Sequence, residues 1–288
     1  MSNAEQGGLK PPSRSTRIGR MLQPWIRRLA LWLFALWCLF PIYWLLTMSL
    51  KRQVDAISRK PKFIFQPIWD NYLNVLASGE VWLFFQNSLI VALGTTALSL
   101  LLGVPTAYVL ARYRFAGNAD FGFWILTTRM TPPVAMLIPF FVVYIRSGLF
   151  DSHLGLILAH TAITLSIVVW LMKGFFEDLP LELEEAALMD GATHFQAFRQ
   201  ICLPVALPGI AAVAILTFLF SWNEFLFSLV LADRIQTVPV GLYNFVGYQQ
   251  IRWGELTASA VIMLLPVLLF VFIFQRQLVR GLTLGAIK

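Results

Sequence analysis

Charge is scarce in this chain. Asp, Glu, Lys and Arg together make up 13% of its 288 residues, against 58% hydrophobic residues. So little charge excludes a disordered polymer, and it leaves no room for a large soluble domain. The net charge of +7 is therefore not a nucleic-acid footprint. Histidine is nearly absent, and His153, His160 and His194 are scattered. No H-E-x-x-H pair and no glycine-rich phosphate loop ending in Gly-Lys-Ser/Thr occurs. Cysteine is limited to Cys38, in an apolar run, and Cys202, in a polar segment. The two are not expected to pair, and neither has metal-ligand spacing. The residues thus point to no catalytic group, no metal and no cofactor on this chain, so it is not expected to be an enzyme. Any energy source must come from a partner.

What is abundant is long apolar sequence. Six stretches are long enough to cross a bilayer, at about 29–50, 84–111, 121–145, 154–175, 209–231 and 257–275. The expected fold is an all-α integral membrane domain of six transmembrane helices, 29–288, after a basic, disordered tail, 1–28. With both termini in the cytoplasm, thirteen Lys and Arg lie inside, eight outside and Arg129 within a span. That bias favours a cytoplasmic N-terminus. The first outer loop, with Lys51, Arg52, Arg59, Lys60 and Lys62, runs against it. The first apolar run exceeds a signal-peptide core and ends without a small-residue cleavage pattern.

Between the fourth and fifth spans lies a compact polar segment, 176–208. Asp178, Glu182, Glu184 and Glu185 crowd the start of a short helix, where the dipole favours negative charge. Pro180 is tolerated in a first turn, and Gly191 stands where a left-handed cap needs no Cβ. Thr193 and Gln196 have capping-box spacing for a second helix, which Pro204 is expected to end. Ala186 and Ala187 are small enough for a partner to approach the backbone. A chain of membrane helices gains nothing from such a pair unless something grips it. The plainer reading is an amphipathic hairpin lying in the interface.

The spacing E-A-A-x3-G-x9-I-x-L-P, from Glu185 through Gly191 to Ile201, Leu203 and Pro204, resembles the cytoplasmic coupling motif of binding-protein-dependent ABC import permeases. The chain from about residue 29 to its end is similar to the MalG-type subunit of carbohydrate importers. Shared stretches include Asn87-Ser88-Leu89, Thr128-Arg129-Met130-Thr131-Pro132-Pro133, Gly148-Leu149-Phe150-Asp151-Ser152, Trp222-Asn223-Glu224-Phe225 and the ending 281–288. The resemblance implies a multi-pass protein of the bacterial inner membrane. It implies a heterodimer with a MalF-like permease, two ATPase subunits below, and an extracytoplasmic sugar-binding protein above. ATP and Mg would sit on the partner ATPase, and a sugar would be the substrate. Glu185, Ala186, Ala187 and Gly191 would form the ATPase-facing surface. Ile201, Leu203 and Pro204 would pack the second helix back onto the permease. The tail, with Leu282, Thr283, Gly285 and Lys288, would reach the ATPase pair as an extended strand.

Five residues are candidates for the substrate pathway. Arg129 falls about eight residues into the third span, roughly 12 Å deep at the helical rise, where a charge must face a partner or a wet cavity. Pro132, Pro133 and Pro139 interrupt the same span. Trp222, Asn223 and Glu224 put an aromatic ring, an amide and a carboxylate together in the fifth span, the group types that bind sugar hydroxyls and C–H faces. Asn87 joins them at the start of the second span. The alternative for Arg129 is a structural ion pair, with the other permease or with Glu224. His160 reads as a packing histidine. The competing functions are a self-sufficient secondary transporter or channel, which expects paired broken helices in its two halves, and an importer of a non-sugar solute.

Overall fold

The computed structural model describes residues 14–247 and 250–284. Among them all regular structure is helical, apart from one bridging pair, Val246 with Ile251. The long elements are α1 (Arg14–Ser49), α4 (Glu80–Arg112), α7 (His153–Asp178), α10 (Leu203–Trp222) and α13 (Trp253–Leu284). Short helices join them: α2 (Gln53–Ala56), α3 (Asp70–Ser78), α5 (Asn118–Thr127), α6 (Pro133–Ser147), α8 (Glu182–Met189), α9 (His194–Ala197), α11 (Leu226–Leu231) and α12 (Val238–Tyr243).

Among the described residues, four stretches are long and apolar enough to cross a membrane: Arg27–Ser49, Glu80–Arg112, His153–Asp178 and His194–Trp222. The expected third span is not one helix. It is the pair Asn118–Met130 and Pro133–Ser147, bent by 94°, and counting it as one crossing raises the total to five. The cause is local. Thr128–Met130 tightens into a 3-10 turn, and Thr131 and Pro132 then turn extended before Pro133 opens α6. The residue before a proline is pushed out of the helical region, and proline suits a first helical turn. The sixth expected span falls on α13, whose described apolar stretch runs over Trp253–Leu269. Helix α1 begins at Arg14, so residues 14–28, expected to be disordered, have a helical backbone.

The core is the packing of α4 along α7, with α10 against both. Small residues allow it: a Cβ on Gly103 would stand 2.6 Å from Val168 Cγ1, too close for any larger residue. Ser99 and Thr164 hydroxyls meet 2.9 Å apart across the same seam. Towards one end of the bundle, Tyr108, Met172, Phe176 and Cys202 form one cluster. Phe84, Phe218, Trp222 and Met263 form another. The outward side chains of α1, such as Leu29, Trp32, Phe34 and Trp37, are exposed apolar groups, as lipid or a partner membrane helix requires.

At the end of the bundle away from α8, two turns are tied together. Asp151, at φ +54°, donates its backbone N–H to the Leu231 carbonyl at 2.9 Å. Its carboxylate Oδ1 accepts from the backbone N–H groups of Asp233, Arg234 and Ile235 at 3.0, 2.9 and 3.0 Å. Lys51 is nearly fully buried, with its ammonium over the rings of Trp44 and Phe65 at 4.6 and 5.0 Å. Burial lowers its pKa against the pull of Asp55. One of the charges that offended the positive-inside pattern is therefore a packing group.

Candidate functional site

The polar segment after α7 folds as a short helix, a glycine turn and the first turns of a second helix. Helix α8 carries Glu182, Glu184 and Glu185 in its first turn. Gly191 follows at φ +88°, and a Cβ placed there would meet nothing within 4 Å. Its requirement is thus conformational, not steric. Thr193 and Gln196 make the reciprocal capping box that opens α9. Between the helices lies an open groove of about 530 Å³. Ala186, Ala187, Gly191 and Ile201 line it. Glu185 is exposed on α8.

Two details differ from the sequence reading. Pro204 does not end the second helix. A wide π-helical turn, Phe198–Cys202, carries α9 into α10, so that His194–Trp222 is one apolar helix. Proline lacks an N–H and its ring crowds the carbonyl four residues back; the wider turn just before Pro204 gives it space. Leu203 packs against the core, but Pro204 itself is exposed, so only part of the expected packing surface faces the permease. A further detail was not foreseen: an acidic residue, Glu184, is built into the fold, while Glu185, the expected ATPase-facing residue, is exposed. Glu184 is buried, with Oε1 2.5 Å from Arg112 Nε and Oε2 accepting from Tyr108 Oη at 2.9 Å. Its signal in the sequence is faint: it shares the helical face of Leu188, four residues on, while Glu185 is turned about 100° away.

The pathway candidates do not converge as one site. Trp222 is buried, stacked on Phe218 and edge-on to Phe85. The fifth span is interrupted at 223–225, between α10 and α11. Glu224 is committed there: Oε1 accepts from Phe227 N–H at 2.8 Å, and Oε2 from Ser228 N–H and Oγ at 3.0 and 3.1 Å. His160 Nε2 stands 3.1 Å from the same carboxylate. The other ring nitrogen, Nδ1, is 2.8 Å from Ser221 Oγ. His160 is thus a satisfied buried histidine joining α7 to the helix break.

Arg129 makes no pair with Glu224. It is exposed at the α5–α6 bend, its guanidinium 5.4 Å from the Phe220 ring. Asn87 spends both ends of its amide on the chain, donating to Gln236 O at 3.0 Å and meeting His153 Nε2 at 2.9 Å. Asn223 is exposed and donates to Leu219 O at 2.8 Å. Of the five, Arg129 and Asn223 keep an outward-facing polar group. Leu282 and Thr283 lie in the helical backbone of α13, where an extended strand was expected. Gly285 and Lys288 lie outside the described residues.

A bundle of apolar helices with a short, exposed helix and a tight glycine turn between two of them defines a membrane-embedded subunit. Residues 99–284 match the model of the family "Binding-protein-dependent transport system inner membrane component", and the chain belongs to that family. It is a multi-pass inner-membrane permease component, a non-catalytic transport subunit. It is 36% identical over 257 residues to the trehalose transport permease SugB of Mycobacterium tuberculosis, covering 88% of this chain and 93% of that protein. It is 34% identical to the sulfoquinovosyl glycerol transport permease SmoH of Agrobacterium fabrum, covering 87% and 89%, and 30% identical to the trehalose/maltose permease MalG of Thermococcus litoralis, covering 89% and 94%. Among solved structures it resembles a chain of a bacterial ABC transporter that imports the acidic polysaccharide alginate. There the TM-score is 0.74 at 26% identity, over 93% of this chain and 99% of that one.

Proposed function

We propose that this chain is one of two permease subunits of an ATP-driven importer for a sugar or sugar derivative. A MalF-like permease completes the membrane pathway. Two ATPase subunits, carrying ATP and Mg, grip the groove between α8 and α9 and its counterpart. An extracytoplasmic binding protein delivers the solute at the opposite face. Six crossings with both termini inside complete the arrangement. The observation that carries the reading is the exposed α8–Gly191–α9 handle on a chain of the binding-protein-dependent family. The relatives named for trehalose, maltose and sulfoquinovosyl glycerol support a carbohydrate substrate. Glu185 would meet basic groups of the ATPase, and the end of the chain, including Leu282, Thr283, Gly285 and Lys288, would reach the same partner.

Two broken spans, at Arg129 and at Glu224, are what a self-sufficient carrier would also show. Family membership favours the importer. The test is reconstitution of the complex in liposomes with ATP inside. Uptake should require the binding protein, its sugar and ATP together. Uptake by this chain alone, without an ATPase, would overturn the reading.

A further inference from the structure

Helix α8 has one buried residue, Glu184. Its neighbours give it little other hold, with Leu183 43% and Met189 88% exposed. Both carboxylate oxygens of Glu184 are taken by α4, through Arg112 Nε and Tyr108 Oη. These two residues lie one helical turn apart, so the two bonds fix the direction of α8 as well as its position. The other arm of Arg112, Nη2, donates to the carbonyl of Leu179 at 2.9 Å, the residue that caps α7. The Tyr108 ring lies 4.6 Å from that of Phe198, in the π-helical turn that leads into α10. Four elements, α4, α7, α8 and the start of α10, are therefore linked through Glu184, Arg112 and Tyr108. The pair is withdrawn from water, with its side chains 10% and 9% exposed. Separating it would strand a buried charge.

We propose that Glu184, held by Arg112 and Tyr108, is the joint through which displacement of α8 reaches α4 and α7. Glu184 is a positioning residue: it touches neither nucleotide nor solute. The inference rests on the reading that an ATPase grips α8. Without the joint, α8 keeps its chain connections and its packing on the π-helical turn, but no tie to α4, and can follow the ATPase while the spans lag.

The test compares wild type, Glu184→Gln and the double variant Glu184→Met/Arg112→Met in the reconstituted complex. The double variant removes both buried charges at similar volume, which by itself is often neutral for stability. The readout is solute imported per ATP hydrolysed, beside the yield of assembled complex. The joint requires the double variant to assemble and hydrolyse ATP while importing about fivefold less per ATP, the low end of coupling between linked sites. A double variant that fails to assemble, or that imports at the wild-type ratio, overturns the joint and leaves a structural ion pair. A wild-type complex that binds no ATPase overturns the importer reading and the joint with it.

Discussion

Gly191 is the residue whose role is simplest to isolate. Its φ of +88° is open to glycine and strained for a β-branched side chain by about 1–2 kcal/mol, and no neighbour would clash with a new Cβ. Gly191→Val should therefore re-aim α9 without disturbing the core. We expect normal membrane insertion with reduced uptake, and a milder loss for Gly191→Asn, since asparagine tolerates the left-handed region. Membrane fractionation beside uptake checks this. Glu224 and Arg129 should part company. Glu224 caps α11 and holds His160, so Glu224→Ala loses a cap of about 1–2 kcal/mol and should lower the yield of complex. Arg129 is exposed at a helix bend, where a charge at membrane depth marks a partner or a wet path. Arg129→Ala should assemble normally and transport poorly. Parallel measurement of complex yield and uptake separates the two.

At the scale of elements, local signals were legible where they were self-contained. The capping box of Thr193 and Gln196, the turn at Gly191 and the acidic first turn of α8 are all readable, because each is fixed by residues within a few positions. What was hidden depends on distant partners. Only the shared face with Leu188 tells Glu184 from Glu185 until Arg112, 72 positions away in sequence, arrives beside it. Asp151 was visible only as part of a family stretch, although it ties the α6–α7 turn to the segment after α11. Burial alone would raise its pKa, but the three N–H donors and the Arg234 charge outweigh that and hold it below the ordinary 3.8. A depressed folded pKa means the clamp contributes fully above pH 3.8 and fades as pH falls through the lower folded value. Asp151→Asn should cost about 1–3 kcal/mol at neutral pH. The difference in Tm between wild type and Asp151→Asn should narrow in acid below about pH 3.8, read by thermal unfolding of the detergent-solubilised complex. A difference independent of pH there would sink the charge-based account.

At the scale of the molecule, hydropathy located the apolar stretches but not their interruptions. The third span became a bent pair because two prolines follow a threonine-rich turn, and the fifth broke at 223–225 because Glu224 accepts backbone N–H groups that a continuous helix would have kept. Conversely, the expected stop at Pro204 was absorbed by a π-helical turn. Local propensity yields here to packing between helices. The central claim is that the groove between α8 and α9 is occupied by an ATPase subunit of the importer. Its most direct measurement is cross-linking from Ala186, which is exposed and lines that groove. Ala186→Cys is placed in a Cys38→Ser background, Cys202 being buried. In the assembled complex it should cross-link to the ATPase, with a yield that changes when ATP is added. A transporting complex in which Ala186→Cys reacts with a soluble thiol reagent equally well with and without the ATPase, and forms no cross-link to it, would contradict the account.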